Sequence, residues 1–291
     1  PPTRSAPTKG TDMTPRPQTD FQTDPQHTDH RQRPHRRTTL VVGGILAAAL
    51  VGSATFSALG AINTVSGTKA AAAAGMPTSL VVKADDASVR IVRGTVDRPT
   101  FDYRAPWPAG ASAFTQTEQG GTLTADFRPG VGWPLRVNLF GSGPELTVTL
   151  PAGRTPRMLV QTGTGSATVE ADADQLQVST GTGSVRVNGS ASTLMAMTGT
   201  GSVSVAGTVD GRLMASTNTG SVRVHLDGPQ PDAVDLRTGT GSIVAGLPAG
   251  GYAVRATTGT GSVTDRLTHD DASPHQVAAQ TDTGSITLSE R

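Results

Sequence analysis

Thr162-Gly163-Thr164-Gly165-Ser166 is the first of seven copies of one five-residue stretch. Exact copies return at 180–184, 198–202, 238–242 and 258–262, with Thr-Asn-Thr-Gly-Ser at 217–221 and Thr-Asp-Thr-Gly-Ser at 281–285. Successive copies begin 18, 18, 19, 21, 20 and 23 residues apart. A period near 20 is the mark of a stacked repeat architecture.

The residues around the motif show what each repeat builds. Four positions before the first Thr stand Met158, Leu176, Leu194, Leu213, Val234, Val254 and Val277; two before it, Val160, Val178, Ala196, Ala215, Leu236, Ala256 and Ala279. One position after the Ser stand Ala167, Val185, Val203, Val222, Ile243, Val263 and Ile286; three after it, Val169, Val187, Val205, Val224, Ala245, Asp265 and Leu288. Of these 28 positions only Asp265 is not apolar. Alternation with period two on both sides of the motif means two strands per repeat, each with one face turned inward. The parity shifts across Thr-Gly-Thr-Gly-Ser, which makes the motif a corner whose glycines permit positive φ or close backbone approach. A second, more variable turn is expected to close each coil, at Asn188-Gly189, Ala206-Gly207, Asp227-Gly228-Pro229 and 247–251.

A coil of two short strands cannot bury its own inner face, whereas stacked coils bury a continuous ladder. The expected fold is therefore all-β: a parallel β-solenoid, or single-stranded β-helix, of about ten short coils. Seven come from the repeats at 158–291 and about three from 80–157, giving a length of roughly 50 Å at one strand spacing per coil. A β-propeller is excluded because a blade needs about 40 residues. Residues 80–157 contain strands at Leu80-Val81-Val82, 88–92, 121–127 and 145–150. They also hold Phe101, Tyr103, Trp107, Phe114, Phe127, Trp133 and Phe140, every aromatic residue beyond position 62 except Tyr252. Terminal units of a solenoid must close an open apolar end, so this block reads as a cap.

The N-terminal part differs in kind. Residues 1–37 carry seven Arg/Lys and four Asp, are rich in Pro, Thr and Gln, and show no apolar periodicity. Such a tail cannot bury enough surface to offset its ordering entropy and is expected to be disordered. Residues 40–62 contain no charge over 23 positions, enough for a helix of about 30–35 Å that crosses a bilayer. A transmembrane helix over 38–62 and a stalk over 63–79 are expected. Arg31, Arg33, Arg36 and Arg37 precede the span and only Lys69 closely follows it. That places the N-terminus in the cytoplasm and the solenoid outside the cell membrane, by the positive-inside rule. A cleaved signal peptide ending near Thr68-Lys69-Ala70 is the competing reading. Gly44, Ala48 and Gly52 form a small-residue ridge on the span that could pack helix against helix.

Strands ending in Leu-Thr-Val-Thr-Leu-Pro-Ala-Gly (146–153), followed by repeated Thr-Gly-Thr-Gly-Ser-Val-x-Val units, resemble a bacterial adhesin-like family of β-strand repeats. The resemblance covers roughly 80–291. It implies a β-helix outside the membrane, carried by a single membrane helix, and it implies no catalytic residues.

The net charge of +1 argues against a nucleic-acid partner. The absence of cysteine excludes disulfides, thiolate metal sites and cysteine nucleophiles. Glu170, Asp172, Asp174, Asp210, Asp232 and Asp235 fall in or near turns without recurring beside a base, which offers no general acid–base pair. No His occupies a repeated position, so the motif serines lack a base. The corner supplies hydroxyls where a calcium roll supplies aspartates. No enzyme, cofactor or metal is expected.

Two surface features stand out as a partner surface. Leu159, Met195, Met197 and Met214 place apolar side chains on the outward face of early coils, where Arg237 and Arg255 stand later, and coverage of this stripe by residues 101–140 is the competing reading. Trp107 and Trp133 are each framed by proline or glycine and could serve as platforms for sugars or sit at a membrane interface, with capping of the solenoid as the competing reading. The expected role is a non-enzymatic envelope protein with an adhesin-like binding or structural surface, its partner a cell-wall polymer or an envelope protein. A carbohydrate-active β-helix enzyme and an envelope-stress signalling component are the alternatives.

Overall fold

A computed structural model describes residues 66–72, 75–104, 110–130, 143–153 and 155–291. The tail, the apolar span, Trp107, Trp133 and Phe140 lie outside the described residues. All described elements are strands or turns. They join side by side in a curled, mixed sheet.

Each repeat contributes one strand before its corner and one after it, and strands of equivalent position pair in parallel and in register. Leu176 lies between Met158 and Leu194, and Thr180 between Thr162 and Thr198. After the corner, Val185 lies between Ala167 and Val203. The expected turns at Asn188-Gly189 and Ala206-Gly207 do not interrupt the chain. Val185–Thr200 and Val203–Thr219 run through them as continuous bent strands. The connections at 227–232 and 248–250 do break the strands, as Asp, Gly and Pro dictate.

The inward ladder is the core. Of the 28 positions identified by parity, 24 are buried. The four exceptions, Val254, Ala256, Val263 and Asp265, share one coil.

The stacking order explains that exception. Coils in the middle follow the sequence, but the order changes at both ends. Ala233–Thr240 pairs with Gln276–Thr283, and Gly251–Thr260 pairs with the other edge of Gln276–Thr283. Ile286–Glu290 lies likewise between Ile243–Leu247 and Val263–Arg266. The coil at 276–290 is thus wedged between two coils that precede it, and the coil at 251–266 becomes the last in the stack. Hydrogen bonds here run between coils that are neighbours in the stack and not in the sequence. The short link at 248–250 steps over one coil, and residues 267–275 carry the chain back. Tyr252 anchors the step: fully buried, it donates to the Pro248 carbonyl at 2.7 Å, and burial raises its phenol above the ordinary pKa.

At the other end Ser79–Ala84 sits between Thr122–Gly130 and Arg157–Thr164. Ser88–Arg93 sits between Glu145–Leu150 and Ala167–Glu170. In this register 84–88 is an eighth, degenerate corner, with Ala84 opposite Thr162. Antiparallel strands finish this end: Gly110–Gln119 on Thr122–Gly130, and Thr100–Arg104 on Glu145–Leu150. Within the segment expected as a stalk, Ser66–Ala70 adds one more antiparallel strand to Thr100–Arg104. Phe101, Tyr103, Phe114 and Phe127 are buried together here, with ring centroids 5.3–5.7 Å apart. These four rings are carried by the antiparallel strands and by Thr122–Gly130, on which Gly110–Gln119 lies.

The stacking order has a direct test. Adjacent parallel strands lie about 4.8 Å apart and next-but-one strands about 9.6 Å apart, while a disulfide requires Cα atoms about 4.4–6.8 Å apart. In a chain without native cysteine, Thr240→Cys with Thr283→Cys should cross-link under mild oxidation. Thr240→Cys with Thr260→Cys should not, as read by mass spectrometry of the peptides.

Candidate functional site

The recurring motif is the natural candidate site, and its groups are engaged in stacking. The first Thr of each copy is turned inward and donates its hydroxyl to a carbonyl of the neighbouring coil. Thr180 donates to Gly165 at 2.9 Å, Thr198 to Gly183 at 2.8 Å and Thr217 to Gly201 at 2.9 Å. Thr238 reaches Gly220 at 2.9 Å, and Thr162 reaches Ala87 of the degenerate corner at 2.7 Å. In the rearranged coils Thr281 donates to Gly241 at 3.2 Å and Thr258 to Gly284 at 3.0 Å, following the stack and not the sequence. Six of these threonines are buried, with exposures of 1–6%.

The fourth-position glycine is dictated twice. Its φ lies between 133° and 144° in all seven copies, a region essentially confined to glycine. A Cβ on it would also fall well inside contact distance of a carbonyl oxygen in the neighbouring coil, as Gly201 does with Gly183. Its own N–H donates onward: Gly183 to Thr200 at 2.8 Å and Gly201 to Thr219 at 2.9 Å. The serine joins in, with the Ser184 N–H donating to Ser166 Oγ at 3.2 Å. The third-position threonines, such as Thr182 and Thr200, are exposed in every copy.

Four of the six carboxylates noted in the sequence, Glu170, Asp172, Asp174 and Asp235, are each partnered by an arginine. Arg90 reaches Glu170 at 2.8 Å, Arg93 reaches Asp172 at 3.5 Å, and Arg157 reaches Asp174 at 3.5 Å. Asp235 is held bidentately by Arg237 at 2.8 Å. Surface pairs of this kind contribute little stability. Among the described residues no three His, Asp or Glu side chains are grouped to hold a metal ion.

The outward apolar residues fall into two spots. Leu159 pairs in register with Val81, and both are buried, at 7% and 3%. Gln177 separates Leu159 from Met195. Met195 lies beside Met214, and Met197 lies between Ser179 and Ser216, all three methionines half-buried. Asp235 and Arg237 follow on the next coil.

The model of the family Toastrack DUF4097 matches residues 78–291. The chain belongs to the Toastrack family. Similar solved structures include a "putative adhesin" from Bacteroides fragilis NCTC 9343, 13% identical, covering 78% of this chain and 97% of that one at TM-score 0.45. A "putative cell adhesion protein" from Clostridium sporogenes ATCC 15579 is 12% identical, covering 78% and 99% at TM-score 0.37. A "putative adhesin" from Parabacteroides merdae ATCC 43184 is 13% identical, covering 79% and 97% at TM-score 0.32. No curated protein matches the sequence.

In this Toastrack chain the corner glycine is therefore a requirement of the stack. Gly201→Ala, which meets both the φ restriction and the neighbouring carbonyl, should cost at least about 2 kcal/mol. Gly143→Ala, with open space around the added Cβ, should stay within about 0.5 kcal/mol. Thermal melting of the full chain followed by far-ultraviolet circular dichroism measures both.

Proposed function

We propose that this Toastrack chain is a non-enzymatic envelope protein, anchored by the apolar stretch at 40–62, whose solenoid stands outside the membrane as a rigid adhesin-like surface. The observation that carries the role of the solenoid is that the repeated Thr, Gly and Ser groups are used between coils. Recognition is left to the outward faces. A stack of this kind holds its surface side chains at fixed spacing without a ligand, so little ordering entropy opposes binding. The half-buried Met195, Met197 and Met214 are the apolar spot on that surface. Thioether side chains adapt to varied partners.

The topology is supported by the four arginines before the uncharged stretch and the single lysine after it. The adhesin-like character is supported by the family membership and by the sequence resemblance on which the repeats were first read. The partner is a cell-wall polymer or another envelope protein.

The absence of native cysteine makes the topology measurable. A membrane-impermeant maleimide applied to intact cells should label Thr200→Cys, which sits on the exposed corner, and should label Thr19→Cys only after lysis. The reverse pattern refutes the placement. Met195→Ser with Met197→Ser should weaken adherence of cells to isolated cell wall several-fold and leave the β circular dichroism unchanged. Unaltered adherence with intact structure removes the methionine spot from the proposal.

A further inference from the structure

The two ends of the stack are finished differently. At one, antiparallel strands and four buried aromatic rings fill the cross-section. At the other, the coil at 251–266 is covered only in part. Residues 267–275 return over its beginning, where Thr268–His269 pairs with Gly251 and Tyr252, and Leu267 is buried. Towards its corner nothing follows among the described residues. Every inner coil donates from its corner to the next one: Gly241 N–H to Thr283, Gly284 N–H to Thr260, Ile286 N–H to Ser262. On the last coil the equivalent donors are the N–H groups of Gly261 and Val263, and the equivalent acceptor is the Gly261 carbonyl. The apolar ladder is open at the same place, with Val263 41% exposed and Val254 and Ala256 half-buried.

An unpaired strand edge above an open apolar layer is a template for another chain. The surface that matches this cross-section is the same end of a second copy, related by a two-fold axis. The opposite end is filled by aromatic residues and offers no such match. One residue breaks the fit. Asp265 stands in register with Leu288, which stands in register with Ala245, both fully buried. It is the single charged residue among the 28 inward positions, and it lies on the single coil whose inner face is open.

We infer that Asp265 keeps the open end of the solenoid from joining a second copy of this chain. Its carboxylate accepts the Leu267 N–H at 3.0 Å and pairs with His269 Nε2 at 3.0 Å, and its side chain is still 16% exposed. A second coil laid across it would strip the remaining water from the carboxylate. Two copies meeting about a two-fold axis would also bring two such carboxylates into one small apolar contact. Burying charge in this way costs more than the contact of Val254, Ala256 and Val263 returns. Inward-pointing charge on an edge is an established way of keeping sheets apart. Arg255 and Arg266 flank the same edge on the outward side and reinforce it.

The test uses the full-length chain in mild detergent, compared with Asp265→Val, which installs the residue found here in four other repeats, and with Asp265→Asn. Sedimentation equilibrium reads the mass, and amide hydrogen exchange reads the edge. Asp265→Val should show about twice the mass of the parent protein, with exchange at Gly261 and Val263 slowed at least tenfold. Asp265→Asn retains the acceptor for Leu267 and loses the charge, so it should associate to an intermediate extent. It also carries the test if the valine variant misfolds. A valine variant that keeps its fold, the parent mass and fast exchange at Gly261 overturns the inference. So does a parent protein whose Gly261 and Val263 amides are already protected by a second copy.

Discussion

The hydrogen bond from the first Thr of one corner to the glycine carbonyl of the corner before it in the stack is the interaction on which the rest depends. It recurs at each corner, its threonine is buried at six of the seven, and it forms only when two backbones approach more closely than a side chain would allow. That approach holds the coils one strand spacing apart. The spacing in turn brings each inward Val, Leu, Ile or Ala onto its equivalent above and below. A core with few aromatic side chains becomes adequate because every layer is buried on two sides. Glycine at the fourth position and threonine at the first are thus parts of one device.

A periodic stack solves its interior once and then faces a separate problem at each end. Here the ends are closed by departures from the sequence order. At the N-terminal end, Ser79–Ala84 and Ser88–Arg93 are wedged inward, while antiparallel strands and an aromatic cluster occupy the outside. At the other end the coil at 276–290 is wedged between its predecessors, and residues 267–275 fold over part of the last coil. The Thr268 side chain and N–H both hydrogen-bond to Glu290, the N–H at 2.8 Å, and hold that carboxyl below its ordinary pKa, tying the returning segment to the wedged coil. The part left open carries a carboxylate where every other coil carries an apolar side chain.

The fold was legible because parity is a strict constraint. A shift of one residue would have turned Leu194 or Val203 outward, so the inward set could be read from spacing alone. Stacking order was not legible, because equivalent coils offer equivalent hydrogen bonds and any coil can follow any other. Two signals pointed to it. One was Asp265, the lone polar residue in the inward set. The other was the 23-residue interval between Thr258 and Thr281, the longest of the series. The outward face was less legible still. Leu159 and Met195 have the same parity and similar chemistry, yet the first is buried beside Val81 and the second is half-buried beside Met214. Outward residues answer to no periodic constraint, so spacing does not say which of them meet.

The central claim is that the inward threonine of the motif holds the coils together while the outward threonine does not. Replacing Thr180, Thr198 and Thr217 together by valine removes three buried donors, each worth about 1–3 kcal/mol where the abandoned carbonyl stays unpaired. Replacing Thr182, Thr200 and Thr219 together changes only exposed hydroxyls. Thermal melting of the two triple variants beside the parent chain is the measurement. The account predicts a melting temperature lowered by roughly ten degrees or more for the first set and nearly unchanged for the second. Equal loss from both sets, or no loss from the first, would contradict it.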